Sequence, residues 1–351
     1  MKLRFIVLPL LAVSFFCVNI YGAKVNPETN VKLTTEEIIK QAQSSDSQAQ
    51  LILGKMYMDG TEFPANFEQA IFWMTKAADA NFAPAQNELG QIYLLEQYQN
   101  YAQALIWFKK AARQNYVPAI NNLAQMYEFG AGADIAPNEK IAREYYLQSA
   151  KLNDPFAICS IAYHFMLINN FEEAFEWYQK AADLGYAEAQ YYLGEMYMSG
   201  QGVRQNSKLA IKWYQKAADQ KYFEAQFALA DFYYNNQEFK KAFEIYKRLA
   251  EEGNAGAQKI LGDMYYSGIG VKQNFSSAFM WYEKASLQSL PEALFSLGIM
   301  YRDGIGVQQD VQKGRALIEE AEQSGFLQED IKKDFMSTQQ MPESALDLDE
   351  E

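Results

Sequence analysis

The stretch Ala189-Gln-Tyr-Tyr-Leu-Gly-Glu-Met-Tyr197, followed after a loop by Ala210-Ile-Lys-Trp-Tyr-Gln-Lys-Ala-Ala218, recurs with variations along the chain. Successive copies open 32 to 38 residues apart. A period in this range, built from helix-forming residues, is typical of stacked two-helix repeats. The pattern therefore predicts an all-α solenoid of about eight helix-turn-helix repeats. The copies open at Ala49, Ala85, Ala119, Ala157, Ala189, Ala225, Ala257 and Ala293.

The first helix of each copy has one broad apolar face. Counted from the opening alanine at 100° per residue, offsets +4, +5, +7 and +8 fall on one side of the helix. In the copy at Ala189 they hold Leu193, Gly194, Met196 and Tyr197. Offset +5 is glycine in five copies and alanine in the other three. Because a glycine inside a helix costs up to about 1 kcal/mol relative to alanine, its recurrence predicts a close helix crossing without room for a side chain.

The second helix and the connecting loop carry their own patterns. Ala210, Trp213 and Ala217 share one stripe, which predicts that the tryptophans are the large side chains that fill the core. Three copies join their helices through Gly-x-Gly-Val, as at residues 200–203. A phosphate-binding glycine loop needs a preceding strand, and the pattern predicts none here. We therefore expect turns that require a positive φ.

The two ends of the chain differ from the repeats. Lys2 and Arg4 precede an apolar run, which predicts a secretory signal peptide and an exported protein, periplasmic or secreted. Thr34 and Glu37 form the pattern of a capping box that opens a short helix. The final residues are acidic and are expected to be disordered.

The predicted division of the chain follows from these observations. It comprises a signal peptide (1–23), a linker with an N-terminal capping helix (24–46), eight repeats (47–326), a C-terminal capping helix (327–336) and an acidic disordered tail (337–351). The repeats are expected at 47–82, 83–116, 117–154, 155–186, 187–222, 223–254, 255–290 and 291–326.

Charge and cysteine content limit the classes of partner. The formal net charge of −13 would repel nucleic acid, so no nucleic-acid partner is expected. Beyond the leader no apolar run is long enough for a transmembrane segment. Docking on phosphoinositide membranes would need a basic patch, which the acidic residues of the later repeats oppose. Cys159 is the one cysteine after the leader, so no internal disulfide is predicted.

The sequence offers no catalytic constellation. His164 is the single histidine, and it stands at offset +7, where most other copies place methionine or another core residue. A structural role is therefore predicted for it. One histidine and one mature cysteine cannot form a clustered zinc site or a Ser-His-Asp arrangement. We predict a non-enzymatic protein without cofactor or metal.

The repeat resembles the Sel-one-like repeat (SLR) family, which is related to the tetratricopeptide repeats. The copy from Ala189 to Ala218 matches the family consensus at nearly every position, including Asn206. The resemblance implies a right-handed superhelix of antiparallel helix pairs that acts as a scaffold or adaptor. Exported bacterial members of the family act at the envelope, or help intracellular pathogens to enter host cells or traffic within them. The resemblance therefore extends to host interaction and virulence.

A partner-binding groove is predicted along the first helices, which line the concave side of such stacks. Offsets +2, +6 and +9 point away from the predicted core face. In the later copies they hold aromatic residues and methionines beside a row of acids. The predicted groove consists of Tyr191, Glu195, Met198, Phe227, Asp231, Tyr234, Lys259, Asp263, Tyr266, Phe295 and Arg302.

The chemistry of this groove suits an extended or helical peptide that carries Lys or Arg among apolar anchors. Aromatic side chains supply contact area at low entropy cost, and acids add specificity and association rate. For each aromatic residue, packing between neighbouring first helices is the alternative. The predicted function is an exported protein-binding scaffold, and the resemblance extends this to host-cell entry or trafficking by an intracellular bacterium. An envelope protein that binds peptidoglycan or glycan fragments is the alternative.

Overall fold

The computed structural model describes residues 33–133 and 135–326. Within these residues the chain forms seventeen α-helices and no β-strand, apart from one isolated bridge between Ala131 and Ile135. The predicted all-α fold is confirmed. The predicted signal peptide, the linker up to residue 32, the C-terminal capping helix and the acidic tail lie outside the described residues.

Helix α1 comes first, and sixteen helices follow it as eight successive pairs along the chain, each opened by an even-numbered helix. The predicted capping box of α1 is confirmed, because the backbone N–H of Glu37 donates to Thr34 Oγ1 and that of Thr34 donates to Glu37 Oε2. The helices are α1 Thr35–Gln43, α2 Ser47–Asp59, α3 Phe67–Asp79, α4 Ala83–Leu94, α5 Tyr101–Ala112, α6 Val117–Phe129, α7 Glu139–Ala150, α8 Pro155–Leu167, α9 Phe171–Asp183, α10 Ala187–Ser199, α11 Ser207–Asp219, α12 Phe223–Asn235, α13 Phe239–Glu251, α14 Ala255–Ser267, α15 Phe275–Ser286, α16 Pro291–Asp303 and α17 Val311–Gln323.

The chain divides within α8, between Phe165 and Met166, into two compact units. In each unit the two helices of a hairpin pack together, as α4 does with α5 and α10 with α11. The second helix also packs against the first helix of the next hairpin, as α5 does with α6 and α11 with α12. Each unit therefore has a core that continues from hairpin to hairpin.

The recurrent glycine of the first helix marks a close crossing with the second. A Cβ placed on Gly194 would lie 2.5 Å from the ring of Tyr214, and one on Gly262 would lie 2.6 Å from the ring of Tyr282. The predicted crossing without room for a side chain is thus confirmed at these glycines. The ring that fills the crossing belongs to the residue after the tryptophan, since Tyr214 is 2% exposed while Trp213 is half-buried. The prediction that tryptophans fill the core was therefore wrong at Trp73, Trp177 and Trp213, which are half-buried, and is confirmed at Trp107 and Trp281, which are buried.

All five tryptophans also pack against a lysine three residues later on the same helix. Stacking of an ammonium group on an indole ring is favourable, so the Lys of the repeated motif lies over the ring. The distances from Nζ to the ring centroid are 4.9 Å for Lys76 and Trp73, 3.8 Å for Lys110 and Trp107, 4.4 Å for Lys180 and Trp177, 3.7 Å for Lys216 and Trp213, and 4.2 Å for Lys284 and Trp281.

Buried glutamines join successive hairpins. Gln190 of α10 donates through Nε2 to the carbonyl of Ala182 in α9 at 3.1 Å, and its Oε1 accepts from Gln220 after α11 at 2.8 Å. Gln258 repeats this geometry with Ala250 and Gln288. Each such glutamine satisfies a carbonyl at a helix end, which would otherwise lack a partner. This ladder was not predicted, although glutamine follows the opening alanine in five copies.

The glycine loops pack onto the preceding hairpin. Gly200 ends α10 in the left-handed conformation with φ of 79°, and Gly202 has φ of 66°, which confirms the predicted turns. A Cβ on Gly202 would lie 2.1 Å from the carbonyl oxygen of Phe171, at the start of α9. The loop of one hairpin therefore rests directly on the backbone of its neighbour.

The single histidine bridges hairpins within the first unit. His164 Nε2 lies 3.2 Å from Glu128 Oε1, and Nδ1 lies 2.8 Å from the carbonyl oxygen of Ser160. Tyr146 donates to Glu128 Oε2 at 2.6 Å. Because both ring nitrogens face acceptors, the imidazolium form satisfies both bonds. The hydrogen bond to Glu128 raises the pKa of His164 above its ordinary value, against desolvation, and Glu139 contributes in the same direction.

The close crossing predicts opposite effects of two glycine-to-alanine substitutions. Gly194→Ala should lower the free energy of unfolding by about 1–3 kcal/mol, because the added methyl group displaces the Tyr214 ring. Gly256→Ala is the matched control, since a Cβ there has no neighbour nearer than 3.4 Å. It should raise stability by up to about 1 kcal/mol through helix propensity. Urea denaturation measures both, and equal stability of the two variants would contradict the crossing.

The raised pKa of His164 predicts pH-dependent stability. The stabilisation by the imidazolium is present in full below the unfolded pKa of about 6.5 and is lost as pH rises through the higher folded pKa. The unfolding midpoint of the unmodified protein should therefore exceed that of His164→Gln by more near pH 5.5 than near pH 9. Calorimetry measures the difference, and proton NMR follows the single histidine directly. A difference that does not vary with pH would refute the assignment.

Candidate partner-binding cleft

A cleft of about 600 Å³ lies between α10 and α12 in the second unit. Five of the residues predicted for the groove line it: Tyr191, Glu195 and Met198 from α10, and Phe227 and Asp231 from α12. They occupy offsets +2, +6 and +9 of one first helix and offsets +2 and +6 of the next. The structure therefore brings the first part of the predicted groove together in one concave surface.

Sequence reasoning missed the other residues that line the cleft. Tyr214 reaches it from α11, and the remainder comes from positions along α12 and from Asn236 directly after it. Offset counting from a single first helix could not find a residue of the second helix. The missed lining residues are Tyr214, Phe223, Glu224, Ala228, Phe232, Asn235 and Asn236.

Aromatic rings form the walls of the cleft. The ring centroids of Tyr191 and Tyr214 lie 5.9 Å apart, and those of Phe223 and Phe227 lie 5.4 Å apart. Phe227 also meets the ring of Tyr246 edge-on at 5.5 Å. These contacts already restrict the rotamers of the rings, so the rings lose little further conformational entropy when a partner binds. The walls are therefore organised before a partner arrives.

Each predicted acid is tied to a tyrosine of its own hairpin. Tyr214 donates to Glu195 Oε1, Tyr246 donates to Asp231 Oδ1, and Tyr282 donates to Asp263 Oδ1 at 2.7 Å. The acids were predicted as a row facing a partner, and the structure adds that they also satisfy buried phenol groups. Glu195 and Asp231 remain exposed to solvent, so both functions are compatible.

The electrostatic environment of the cleft is negative. Burial raises the pKa of Tyr191 first of all, and the carboxylates of Glu195, Glu224 and Asp231 raise it further. Burial also raises the pKa of Asp231, while the hydrogen bond from Tyr246 opposes that shift. Three carboxylates thus act on one ring at the centre of the cleft. A cation would lower the electrostatic free energy of this arrangement.

The next hairpin neutralises its own acid. Lys259 Nζ lies 3.0 Å from Asp263 Oδ2, and Lys259 is only 7% exposed. Tyr234 stands close to this ion pair, because burial and then Asp263 raise its pKa whereas Lys259 lowers it. Tyr266 is half-buried near Asp303. These four predicted groove residues, Tyr234, Lys259, Asp263 and Tyr266, do not line the cleft.

The last two predicted residues also lie elsewhere. Phe295 is 3% exposed and packs against Phe326 in the core of the last hairpin, with ring centroids 5.5 Å apart. Arg302 is engaged by the carboxylate of Asp303 at 2.7 and 3.0 Å. Offset +2, predicted to face a partner, is thus buried at Phe295 and Lys259.

Two further properties bear on the class of site. Among residues 33–133 and 135–326, no group of three or more His, Cys, Asp or Glu side chains could hold a metal ion. In the same part of the chain, every helix is too short or too polar to cross a membrane.

Comparison with known proteins identifies the family of the repeat. A family model described as Sel1 repeat matches eight segments, and the fourth match begins ten residues later than the sequence pattern predicted. That copy carries Ala162 and His164 in place of the usual glycine and methionine. The matched segments are 47–82, 83–116, 117–154, 165–186, 187–222, 223–254, 255–290 and 291–326.

One solved structure supports the same relationship. The chain is 27% identical to a Sel1 repeat protein from Oxalobacter formigenes, with 83% of this chain and 87% of that chain covered and a TM-score of 0.64. It is 24% identical to a protective antigen of uropathogenic Escherichia coli with an SLR fold, covering 90% and 92% of the two chains at a TM-score of 0.41. The chain belongs to the Sel1 repeat family, whose members are generally non-enzymatic scaffolds for protein–protein interaction.

Proposed function

We propose that the chain is an exported, non-enzymatic scaffold that binds a polypeptide partner in the cleft between α10 and α12. One observation carries the proposal: two successive first helices supply rings and carboxylates to the same concave surface. Membership of the Sel1 repeat family supports a protein partner. Export rests on the leader pattern of residues 1–23. A role in host-cell entry or trafficking is part of the same proposal and rests on the resemblance to exported bacterial members.

The shape and lining of the cleft suit a segment of polypeptide. A volume of about 600 Å³ is large enough for a few side chains and is open to a chain passing through it. Rings such as Tyr191, Phe223 and Phe227 offer apolar contact with little loss of entropy. Asn235 and Asn236 at one end add amide groups that can bond to a peptide backbone.

The charge of the cleft favours a basic segment. Glu195, Glu224 and Asp231 supply three carboxylates, and no Lys or Arg stands among the residues that line the cleft. Complementary charges increase the association rate and exclude partners of the wrong sign. An acidic or neutral peptide would gain nothing from these groups, so we expect Lys or Arg in the natural ligand.

A catalytic function has little support in the geometry. The single histidine is held between Glu128 and the carbonyl of Ser160, where it bridges hairpins. Glu195 and Asp231 each accept a hydrogen bond from a buried tyrosine. These contacts give the histidine a structural role, and they hold the carboxylates in position for recognition of a partner.

The aromatic walls also suit the alternative of an envelope protein that binds peptidoglycan or glycan fragments, because rings can stack on the faces of sugars. The carboxylates favour the polypeptide reading, since uncharged sugars gain no ionic contact from Glu195 and Asp231. Binding assays with isolated muropeptides and with polypeptides separate the two readings.

The proposal predicts that added positive charge in the cleft abolishes capture of the partner. Asn235→Lys plus Asn236→Lys places two cations in the cleft and leaves the tyrosine–carboxylate bonds intact. We expect at least about tenfold less retained polypeptide. Detergent-solubilised envelope extract is passed over the full-length bait, and mass spectrometry identifies what it retains.

Glu251→Arg plus Glu252→Arg is the control, because these exposed residues end α13 and do not line the cleft. This control should retain the polypeptide. Equal retention by the cleft variant, with its helix content unchanged, would disprove the location. Retention of muropeptides and of no polypeptide would favour the alternative function.

A further inference from the structure

Three successive hairpins of the second unit share one arrangement of acid and tyrosine. At offset +6 of the first helix stand Glu195, Asp231 and Asp263, and each accepts a hydrogen bond from the tyrosine that follows the tryptophan position in its own second helix. In all three hairpins the tyrosine hydroxyl donates to one oxygen of the carboxylate, which is Oε1 in Glu195 and Oδ1 in Asp231 and Asp263. The hairpins therefore present equivalent carboxylates with one oxygen already engaged.

The third of these hairpins shows what the other oxygen accepts. Lys259, four residues before Asp263 at offset +2, places its ammonium 3.0 Å from Asp263 Oδ2. Tyr282 takes Oδ1 and Lys259 takes Oδ2, so the carboxylate is satisfied on both sides. The chain itself thus contains one complete version of a tyrosine–carboxylate–lysine contact.

The two hairpins of the cleft have the same carboxylate without the lysine. Offset +2 holds Tyr191 in one and Phe227 in the other, and both rings line the cleft. Within residues 33–133 and 135–326, neither Glu195 nor Asp231 forms an ion pair with a Lys or Arg of the chain. An aromatic ring beside a carboxylate is a favourable place for an ammonium group, because ring face and carboxylate both attract it.

We propose that two lysine side chains of the partner give Glu195 and Asp231 the contact that Lys259 gives Asp263. This inference rests on the proposed function and names the ligand of its cleft. Glu195 and Asp231 line the same cleft from successive first helices, so the two lysines must project from one side of the segment. In a polyproline II segment, residues i and i+3 lie on one side and about 9 Å apart. The geometry therefore points to a Lys-x-x-Lys segment in an extended conformation.

Lysine fits better than arginine at these positions. A guanidinium group binds carboxylates best through two parallel hydrogen bonds, which need both oxygens. Tyr214 and Tyr246 already occupy one oxygen each. An ammonium group is compact and needs only the remaining oxygen, as Lys259 shows. Arginine in the same peptide would compete with the buried tyrosines for their acceptors.

The first test measures binding of fluorescein-labelled twelve-residue peptides to the full-length protein by fluorescence anisotropy. The probe carries Lys-x-x-Lys among alanine and leucine, and the control peptides carry Arg-x-x-Arg, Lys-x-Lys, or norleucine in place of either lysine. We expect the probe to bind best and each norleucine to weaken binding about tenfold. The protein variants Glu195→Gln and Asp231→Asn, which still accept from tyrosine, should cause similar losses.

The second test asks whether the cleft alone holds the lysines. Lys259→Met removes the ammonium from Asp263, an ion pair that does not line the cleft, and keeps an apolar side chain of similar length in the stack. The two-lysine probe should bind this variant as tightly as it binds the unmodified protein, and a loss of about tenfold would contradict the assignment to Glu195 and Asp231. Circular dichroism confirms that the variant keeps its helix content.

The outcomes separate the inference from the proposed function. Equal affinity for the lysine and norleucine peptides, no binding of the probe, or binding unchanged in Glu195→Gln and Asp231→Asn would overturn the lysine assignment. Envelope polypeptide captured by the unmodified bait and lost with Asn235→Lys plus Asn236→Lys would still support the scaffold. No polypeptide captured by the unmodified bait would overturn the scaffold itself.

Discussion

The close crossing of the two helices in each hairpin is the constraint on which the rest of the structure depends. At this crossing the first helix offers glycine or alanine at offset +5, and the second helix inserts a large side chain, such as Phe108 or Tyr214, into the space. At Gly90, Gly194 and Gly262 the ring of the second helix lies where a Cβ would stand, so these crossings require glycine. The two backbones can therefore approach each other, and the flanking alanines of the second helix complete the contact.

The crossing also connects the core to the candidate site. A tyrosine that fills it points its hydroxyl toward the next residue of the first helix, where offset +6 is an acid in three successive hairpins. A buried hydroxyl without a partner would cost stability, and the carboxylate meets that need. The acid is therefore held in place from the core side, so a partner meets an oriented charge rather than a flexible one.

Local spacing explains what the sequence could predict. The 3.6-residue period gave the helices, the apolar face of the first helix and the need for a small residue at offset +5, because each depends on neighbours within one helix. It failed for Trp213 and Tyr214, which are adjacent and about 100° apart. A modest rotation of the helix decides which of the two enters the crossing, and the pattern of alanines fits both.

Offset +2 shows where local spacing is insufficient. Tyr191 and Phe227 line the cleft as predicted, whereas Lys259 and Phe295 at the same offset are buried. Burial there depends on how closely the neighbouring helices approach, which no single helix records. The residues that the second helix adds to the cleft, above all Tyr214, could be found only once the pairing of helices was known.

The glutamine ladder has a consequence for how such a chain can change its length. Gln190 contacts only a main-chain carbonyl of the preceding hairpin and the side-chain amide of Gln220 at the end of its own hairpin. Gln258 does the same two hairpins further along the chain. Neither contact depends on which side chains the neighbour carries. Whole hairpins could thus be duplicated or lost during evolution with their junctions re-formed unchanged, while the exposed offsets diverged toward new ligands.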